Sequence, residues 1–245
     1  DVYELTLNVK GAIGSIKEKA KLDILFVVDT SGSMDFDVDG HEYHYNKTRQ
    51  ALVNEQITML VNSLENDDAI DARYKLVTFA STASTRNASS WQSGATLINR
   101  LPGDASGGTN YQDALEKAGA AVSADKRDAK RIIIFLTDGA PTYYNSGRGV
   151  AGPGSSTNTT CVTKAVEGAG MIGSDCDYFY AVGFGSDMTR PTTMGSSGKT
   201  ALQILTDVAE AAKNSGAGES FATASTDLTK FFEQFQANLK KIIAV

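Results

Sequence analysis

Positive charge is in short supply in this chain. Its 23 lysines and arginines are outnumbered by 29 aspartates and glutamates, for a formal net charge of −6 at pH 7. Gripping a nucleic-acid backbone takes a basic face, so no nucleic-acid partner is expected. Long apolar runs are also missing. None approaches the ~20 residues that cross a bilayer, so no membrane insertion is expected of this chain. There are two histidines, His41 and His44, in one loop, with no cysteine nearby and no ligand spacing. They are read as surface loop residues. No G-x-S-x-G elbow occurs, and no motif supplies a general base beside a serine, so the expectation is a protein that is not an enzyme. The two cysteines, Cys161 and Cys176, are too few for a disulfide framework. The chain opens on Asp1 and not on Met, so the lack of a leader carries no information. Sequons at Asn46, Asn87 and Asn158 are given little weight.

What is present is a chain of 245 residues, 41% of them hydrophobic, enough to bury a sizeable core. Apolar runs at 22–28, 131–137 and 178–184 are continuous, as in strands buried on both faces. The run at 74–79 alternates more, so it is placed nearer an edge. A further strand is expected at 220–224. Helical patterns at 47–64, 111–122, 200–213 and 226–242 fall between or after the strands. Strand alternating with helix argues for an α/β doubly wound domain. The domain is taken as residues 21–245. Residues 1–20, with an alternating stretch at 3–9, are read as a lead strand or a junction with a preceding domain. Polar segments at 35–46, 140–160 and 185–199 are too long for simple connectors. The first two follow strand ends, where open α/β sheets place ligands.

The first strand runs into DTSGSM, where Asp29, Ser31 and Ser33 alternate with Thr30 and Gly32. In extended chain, residues i, i+2 and i+4 face one side. Three oxygens from five residues make half of the shell that Mg²⁺ needs, about six oxygens near ~2.1 Å. SGGTN offers the Thr109 hydroxyl, and IIIFLTDG ends a second buried strand on Asp138. Two carboxylates and three hydroxyls thus gather at strand ends. Hydroxyls bound directly, with acids acting through water, would leave a metal under-neutralised and ready for an incoming carboxylate.

DTSGS, GGTN and LTDG together resemble the metal-ion-dependent adhesion site of von Willebrand factor type A domains, which include the inserted domains of integrins. The resemblance spans about residues 21–243. It implies a Rossmann-like, doubly wound α/β fold with a mostly parallel six-stranded sheet, helices on both faces and one antiparallel edge strand. It implies Mg²⁺ or Mn²⁺ held directly by Ser31, Ser33 and Thr109, with Asp29 and Asp138 acting mainly through water. The open metal position would take an acidic side chain of a protein ligand. The wording of the chain further resembles Gram-positive pilus-tip and other surface adhesins. That implies a secreted virulence factor at the cell surface, attached to wall or pilus, with an extracellular matrix or host surface protein as ligand. The alternative is an assembly module of an intracellular multi-subunit complex, as in the A-type domains of chelatases.

Three secondary features remain. DFDVDG matches the first half of a calcium loop, so Asp35, Asp37 and Asp39 are candidates for a second site, with Ca²⁺ held in the 35–46 loop. The twelfth position is Asn46 and not the usual Glu, and the alternative is an acidic rim. His41, Tyr43, Tyr143 and Tyr144 are candidates for a ligand-binding rim, with Trp91 a further loop aromatic. A single straight helix over 161–176 would hold the cysteines about 22 Å apart, whereas a disulfide needs Cα atoms within about 7 Å. Gly168, Gly170 and Gly173 make that helix doubtful, and a Cys161–Cys176 disulfide with the chain folding back is expected. Such a bond would favour the extracellular reading.

Overall fold

The computed structural model describes residues 18–42, 46–85, 90–147, 149–189, 198–225 and 227–243. The expected lead strand at 3–9, Tyr43 and His44 lie outside them. In chain order the elements are β1 (Ala20–Asp29), α1 (Arg49–Glu65), β2 (Ile70–Phe79), β3 (Ala83–Ser84), α2 (Gly94–Ile98) and α3 (Tyr111–Ser123). Then follow β4 (Lys130–Thr137), β5 (Tyr144–Ser146), β6 (Gly149–Ala151), α4 (Thr159–Ala169), β7 (Tyr178–Phe184), α5 (Ala201–Asn214), β8 (Glu219–Ser225) and α6 (Leu228–Ile243).

Six strands form one sheet in the order β3-β2-β1-β4-β7-β8. All neighbours are parallel except β3, which runs antiparallel along β2. The sheet buries both faces, and the period of two sorts each continuous apolar run between them. Leu25, Val27, Val77, Phe79, Ile133 and Phe135 face α3, α4 and α5. Ile24, Phe26, Val28, Leu76, Ile134 and Leu136 face α1, α2 and α6. Helix starts are marked by small polar caps, because the first amide groups of a helix have no partner within it. Thr48, Ser93, Asn110 and Asn158 each accept from the backbone amide three residues on, and Thr200 forms a capping box with Gln203. Asn158, part of a sequon, is therefore spent on the start of α4. No helix among the described residues is long and apolar enough to cross a membrane.

Two expectations need correcting. The polar segment 140–160 is not irregular throughout: it carries the antiparallel pair β5–β6 and runs into α4. That helix escaped notice because its buried positions are mostly Ala, Gly and Cys, which give a weak apolar period. The same helix overturns the disulfide. Cys161 lies in its first turn, and the eight residues to Ala169 rise about 12 Å. A turn and a short 3-10 segment at Gly173–Asp175 then deliver Cys176 to the start of β7, at the far end of the helix. Both cysteines are free, buried thiols, and Cys176 Sγ donates to the Tyr178 carbonyl at 3.1 Å.

At the start of β1 a carboxylate is buried among arginines. Asp23 accepts two bonds from Arg73, at 2.9 and 2.7 Å, and one from Arg127 at 2.9 Å. Arg127 also reaches Asp71 at 2.7 Å. Asp23→Ala leaves both guanidinium groups without their shared partner and is expected to cost about 3 kcal/mol in denaturant unfolding. Thiol titration of the unfolded, never-reduced chain is expected to return two free thiols, and a result of none would restore the disulfide.

Candidate metal centre

β1 and β4 lie side by side, and the chain leaves them toward opposite edges of the sheet, so the strand order reverses between them. In open α/β sheets the crevice outside such a reversal takes ligands. β1 ends there on Asp29, and Asp138 directly follows the last residue of β4. Past Asp29 the chain tightens at once. The Ser31 amide donates to Asp29 Oδ1 at 2.8 Å, and a 3-10 turn follows over Gly32–Asp35. Thr30 is pinned the other way, its amide and hydroxyl both donating to the Phe79 carbonyl of β2 at 2.7 and 3.0 Å. This splits the alternation: Thr30 serves the sheet, while Asp29, Ser31 and Ser33 are left to the crevice.

The loop before α3 docks on this turn. Gly32 N donates to the Gly107 carbonyl at 2.9 Å, and Ser106 N donates to the Thr30 carbonyl at 2.8 Å. Thr109 is then held from behind. Its amide donates to Thr142 Oγ1 at 2.8 Å, and its carbonyl accepts from Thr142 N and Tyr143 N at 2.8 and 2.9 Å. Gly108 is required because a Cβ there would meet the Tyr143 ring and Thr142 Oγ1.

The structure draws four of the five expected residues into one hydrogen-bonded chain. Ser31 and Ser33 hydroxyls lie 3.3 Å apart, and Ser33 donates to Asp138 Oδ1 at 2.9 Å. Asp29 Oδ2 accepts from Thr137 at 2.7 Å, and Tyr111 donates to Thr137 in turn at 3.1 Å. Thr109 borders the group through its loop. Asp29 and Asp138 are both fully buried, within 1% of complete. Burial, then the charge of Asp138, pushes the Asp29 carboxyl up to about 7. Burial likewise pushes Asp138 up, opposed by Arg49. Two buried acids that resist ionising together, edged by hydroxyl oxygens, fit a hard divalent cation.

Sequence reasoning missed Arg49, Thr137 and Asp187. Arg49 is wholly buried and donates to Asp138 Oδ2 at 2.8 Å and to Asp187 Oδ2 at 3.1 Å. Nothing in the helical pattern of 47–64 separates it from a surface arginine.

The neighbouring loop closes on Asp37. Its Oδ1 accepts from Asp39 N and His41 N at 3.0 and 2.9 Å, and its Oδ2 meets His41 Nδ1 at 3.1 Å. Ligand atoms of Asp37, Asp39 and His41 lie within 4.8 Å of one another. Asp35, expected with them, is exposed in the 3-10 turn and outside that group. Tyr143 packs on Gly108 and Gly154, and Tyr144 opens β5 half-buried. Trp91 is not a rim residue. It is buried, its Nε1 donates to Ala124 O beyond the end of α3, and Arg73 and Lys75 stack on its ring.

The sequence profile of the von Willebrand factor type A domain matches residues 24–140, which include Asp29, Ser31, Ser33, Thr109 and Asp138. By sequence alone, no curated protein matches. Among solved structures the chain is similar to the PilB minor pilin from Streptococcus sanguinis, with a TM-score of 0.71 at 19% identity, covering 94% of this chain and 64% of that one. It is similar to the pilus adhesin SpaC from Lactobacillus rhamnosus GG, with a TM-score of 0.68 at 18% identity, covering 94% of this chain and 31% of that one. It is also similar to an aerotolerance-related membrane protein from Bacteroides fragilis, with a TM-score of 0.59 at 16% identity, covering 90% and 99%. The chain thus spans under two thirds of PilB and under one third of SpaC.

The raised carboxyl at Asp29 sets a pH signature. Between its ordinary value of 3.8 and about 7 the folded state holds the proton more tightly than the unfolded state. Its contribution to metal-free stability is therefore greatest at low pH and is lost as pH rises through about 7. A cation competes with that proton. The rise in melting temperature on adding millimolar Mg²⁺ is expected to be larger at pH 8 than at pH 5.5, measured by calorimetry, and an equal or reversed difference would count against a cation at these residues.

Proposed function

We propose that this chain, which carries a von Willebrand factor type A domain, is a metal-dependent protein-binding module of an extracellular surface adhesin. In this reading Ser31, Ser33 and Thr109 hold Mg²⁺ or Mn²⁺ directly, while Asp29 and Asp138 act through water. The observation that carries it is the placement of two buried carboxylates behind two linked hydroxyls at the strand-order reversal. Asp29 has a donor on each oxygen, the Ser31 amide and the Thr137 hydroxyl, which suits an acid that orients water more than one that binds a metal face-on. When bound, a hard cation in such a site supplies attraction for an incoming carboxylate, since neutral hydroxyls leave its charge incompletely answered.

The chain's own residues do the rest. The Thr30 and Gly32 backbone bonds hold the turn in register with the Thr109 loop. The 37–41 loop and the Tyr143–Tyr144 segment form the rim that a protein ligand meets. In this reading the 37–41 loop serves as rim and not as a calcium site, because the Asp37 oxygens are already taken up by the turn. The role is binding and not catalysis: the Ser33 hydroxyl is engaged by Asp138, and His41 faces solvent in its own turn.

The similarity to PilB and SpaC supports a place on a pilus or cell wall, and an extracellular matrix or host surface protein as ligand. Two free thiols leave the intracellular assembly module as the second reading. Binding to immobilised collagen, fibronectin and fibrinogen decides between them. Binding in Mg²⁺ is expected to vanish in EDTA and to fall about 100-fold in Asp29→Ala. Binding that survives both would overturn the metal-bridged reading, and no binding to any of the three in Mg²⁺ would favour the assembly module.

A further inference from the structure

Arg49 is placed where a cation is least welcome. It is the first residue of α1, at the positive end of the helix dipole, and it is wholly buried. Every branch of its guanidinium is nevertheless engaged. Nε donates to the Asp37 carbonyl at 2.9 Å, one terminal nitrogen to Asp138 Oδ2 at 2.8 Å, and the other to Asp187 Oδ2 at 3.1 Å. The slot around it is cleared by two glycines in the left-handed region, Gly40 at φ +91° and Gly185 at φ +92°. A Cβ on Gly185 would stand 3.2 Å from the guanidinium carbon, and one on Gly40 would stand 3.5 Å from a terminal nitrogen. Side chains rarely adopt that conformation, so the backbone favours glycine at both positions, and at Gly185 the tight approach to the guanidinium adds a second reason. Three loops from distant parts of the sequence are shaped to hold this one group.

Its effect on the centre follows from charge. Asp29 and Asp138 bring two buried negative charges, and Arg49 answers one of them. We propose that Arg49 is the resident counter-cation of the metal centre, a positioning residue that engages the outer oxygen of Asp138 and thereby sets the affinity for the divalent ion. The inference rests on the metal-binding reading above. With Oδ2 committed to Arg49, Asp138 presents only Oδ1 toward the hydroxyls, which keeps it a water-orienting acid. In the metal-free state Arg49 keeps the two acids from driving the crevice apart. In the loaded state its charge opposes the ion's, so affinity is held below what two free carboxylates would give. Asp187, half-exposed on the loop after β7, draws off part of that positive charge. It therefore acts on the ion from outside the centre.

Calorimetric titration of Mg²⁺ and Mn²⁺ tests this on the whole chain at pH 8. Arg49→Met is expected to bind either ion about tenfold more tightly than wild type, while its metal-free melting temperature falls. Arg49→Lys, which keeps the charge, is expected to stay within about threefold of wild type. Asp187→Asn, which leaves the metal centre intact, is expected to bind severalfold more weakly. It carries the test if Arg49→Met does not fold without metal. Unchanged Kd values in Arg49→Met and Asp187→Asn, or shifts of the opposite sign, would overturn the inference while the metal reading stands. A wild-type chain that takes up no ion, indistinguishable from Asp29→Ala, would instead sink the metal reading and this inference with it.

Discussion

Asp29 and Asp138 are held close together with almost no exposed surface, and the end of the sheet where β1 and β4 stop is organised around that constraint. Burying one unpaired carboxylate is costly, and burying two together is more so. The surrounding residues each relieve part of that cost. Thr137 and the Ser31 amide donate to Asp29, while Ser33 and Arg49 donate to Asp138. Those donors come from β4, α1 and the turn between β1 and α1. The parallel register that sets Val28 beside Leu136 carries Asp29 alongside Thr137, with Asp138 one residue further on. A change in that register would separate the acids and strand their partners.

The two ends of β1 make an instructive contrast. At its start, Asp23 meets Arg73 and Arg127, and Asp71 completes the group. Positive and negative groups there answer one another, and the cluster has the character of a structural clasp. At the other end, two buried acids face one arginine. The same strand thus carries a closed electrostatic account below and an open one above. Uncancelled negative charge in a crevice is what draws a cation, and the proposed metal bridge rests on that imbalance.

The motifs were legible because their chemistry is local. DTSGSM announced its alternation in five residues, and the continuous apolar runs announced strands covered on both faces. Tyr111–Ser123 and Ala201–Asn214 stood out as helical stretches, within a residue or two of their observed bounds. The helix at Thr159–Ala169 did not, because a face of Ala, Gly and Cys packs closely without looking hydrophobic. Gly168 shows why: its missing Cβ is what lets α4 settle against the backbone of Gln112 in α3. The cysteines were misread for the same reason, since without that helix nothing kept Cys161 and Cys176 apart. Trp91 could as well have been rim or packing from its loop position, and only the stacking of Arg73 and Lys75 decided it.

The amino-acid order by itself determined the fold class, the strand ends and the oxygen-bearing residues proposed for the centre, because period, capping and side-chain chemistry act over a few neighbours. Tertiary structure alone decided which charges meet. Arg49 is one arginine among many in sequence, 89 positions from Asp138 and 138 from Asp187. It becomes the counter-charge of the centre only when α1 begins beside the end of β4, and when Gly185 leaves room for its guanidinium. Coulombic interaction depends on distance through space and on exclusion of water, and neither quantity is written in the order of residues.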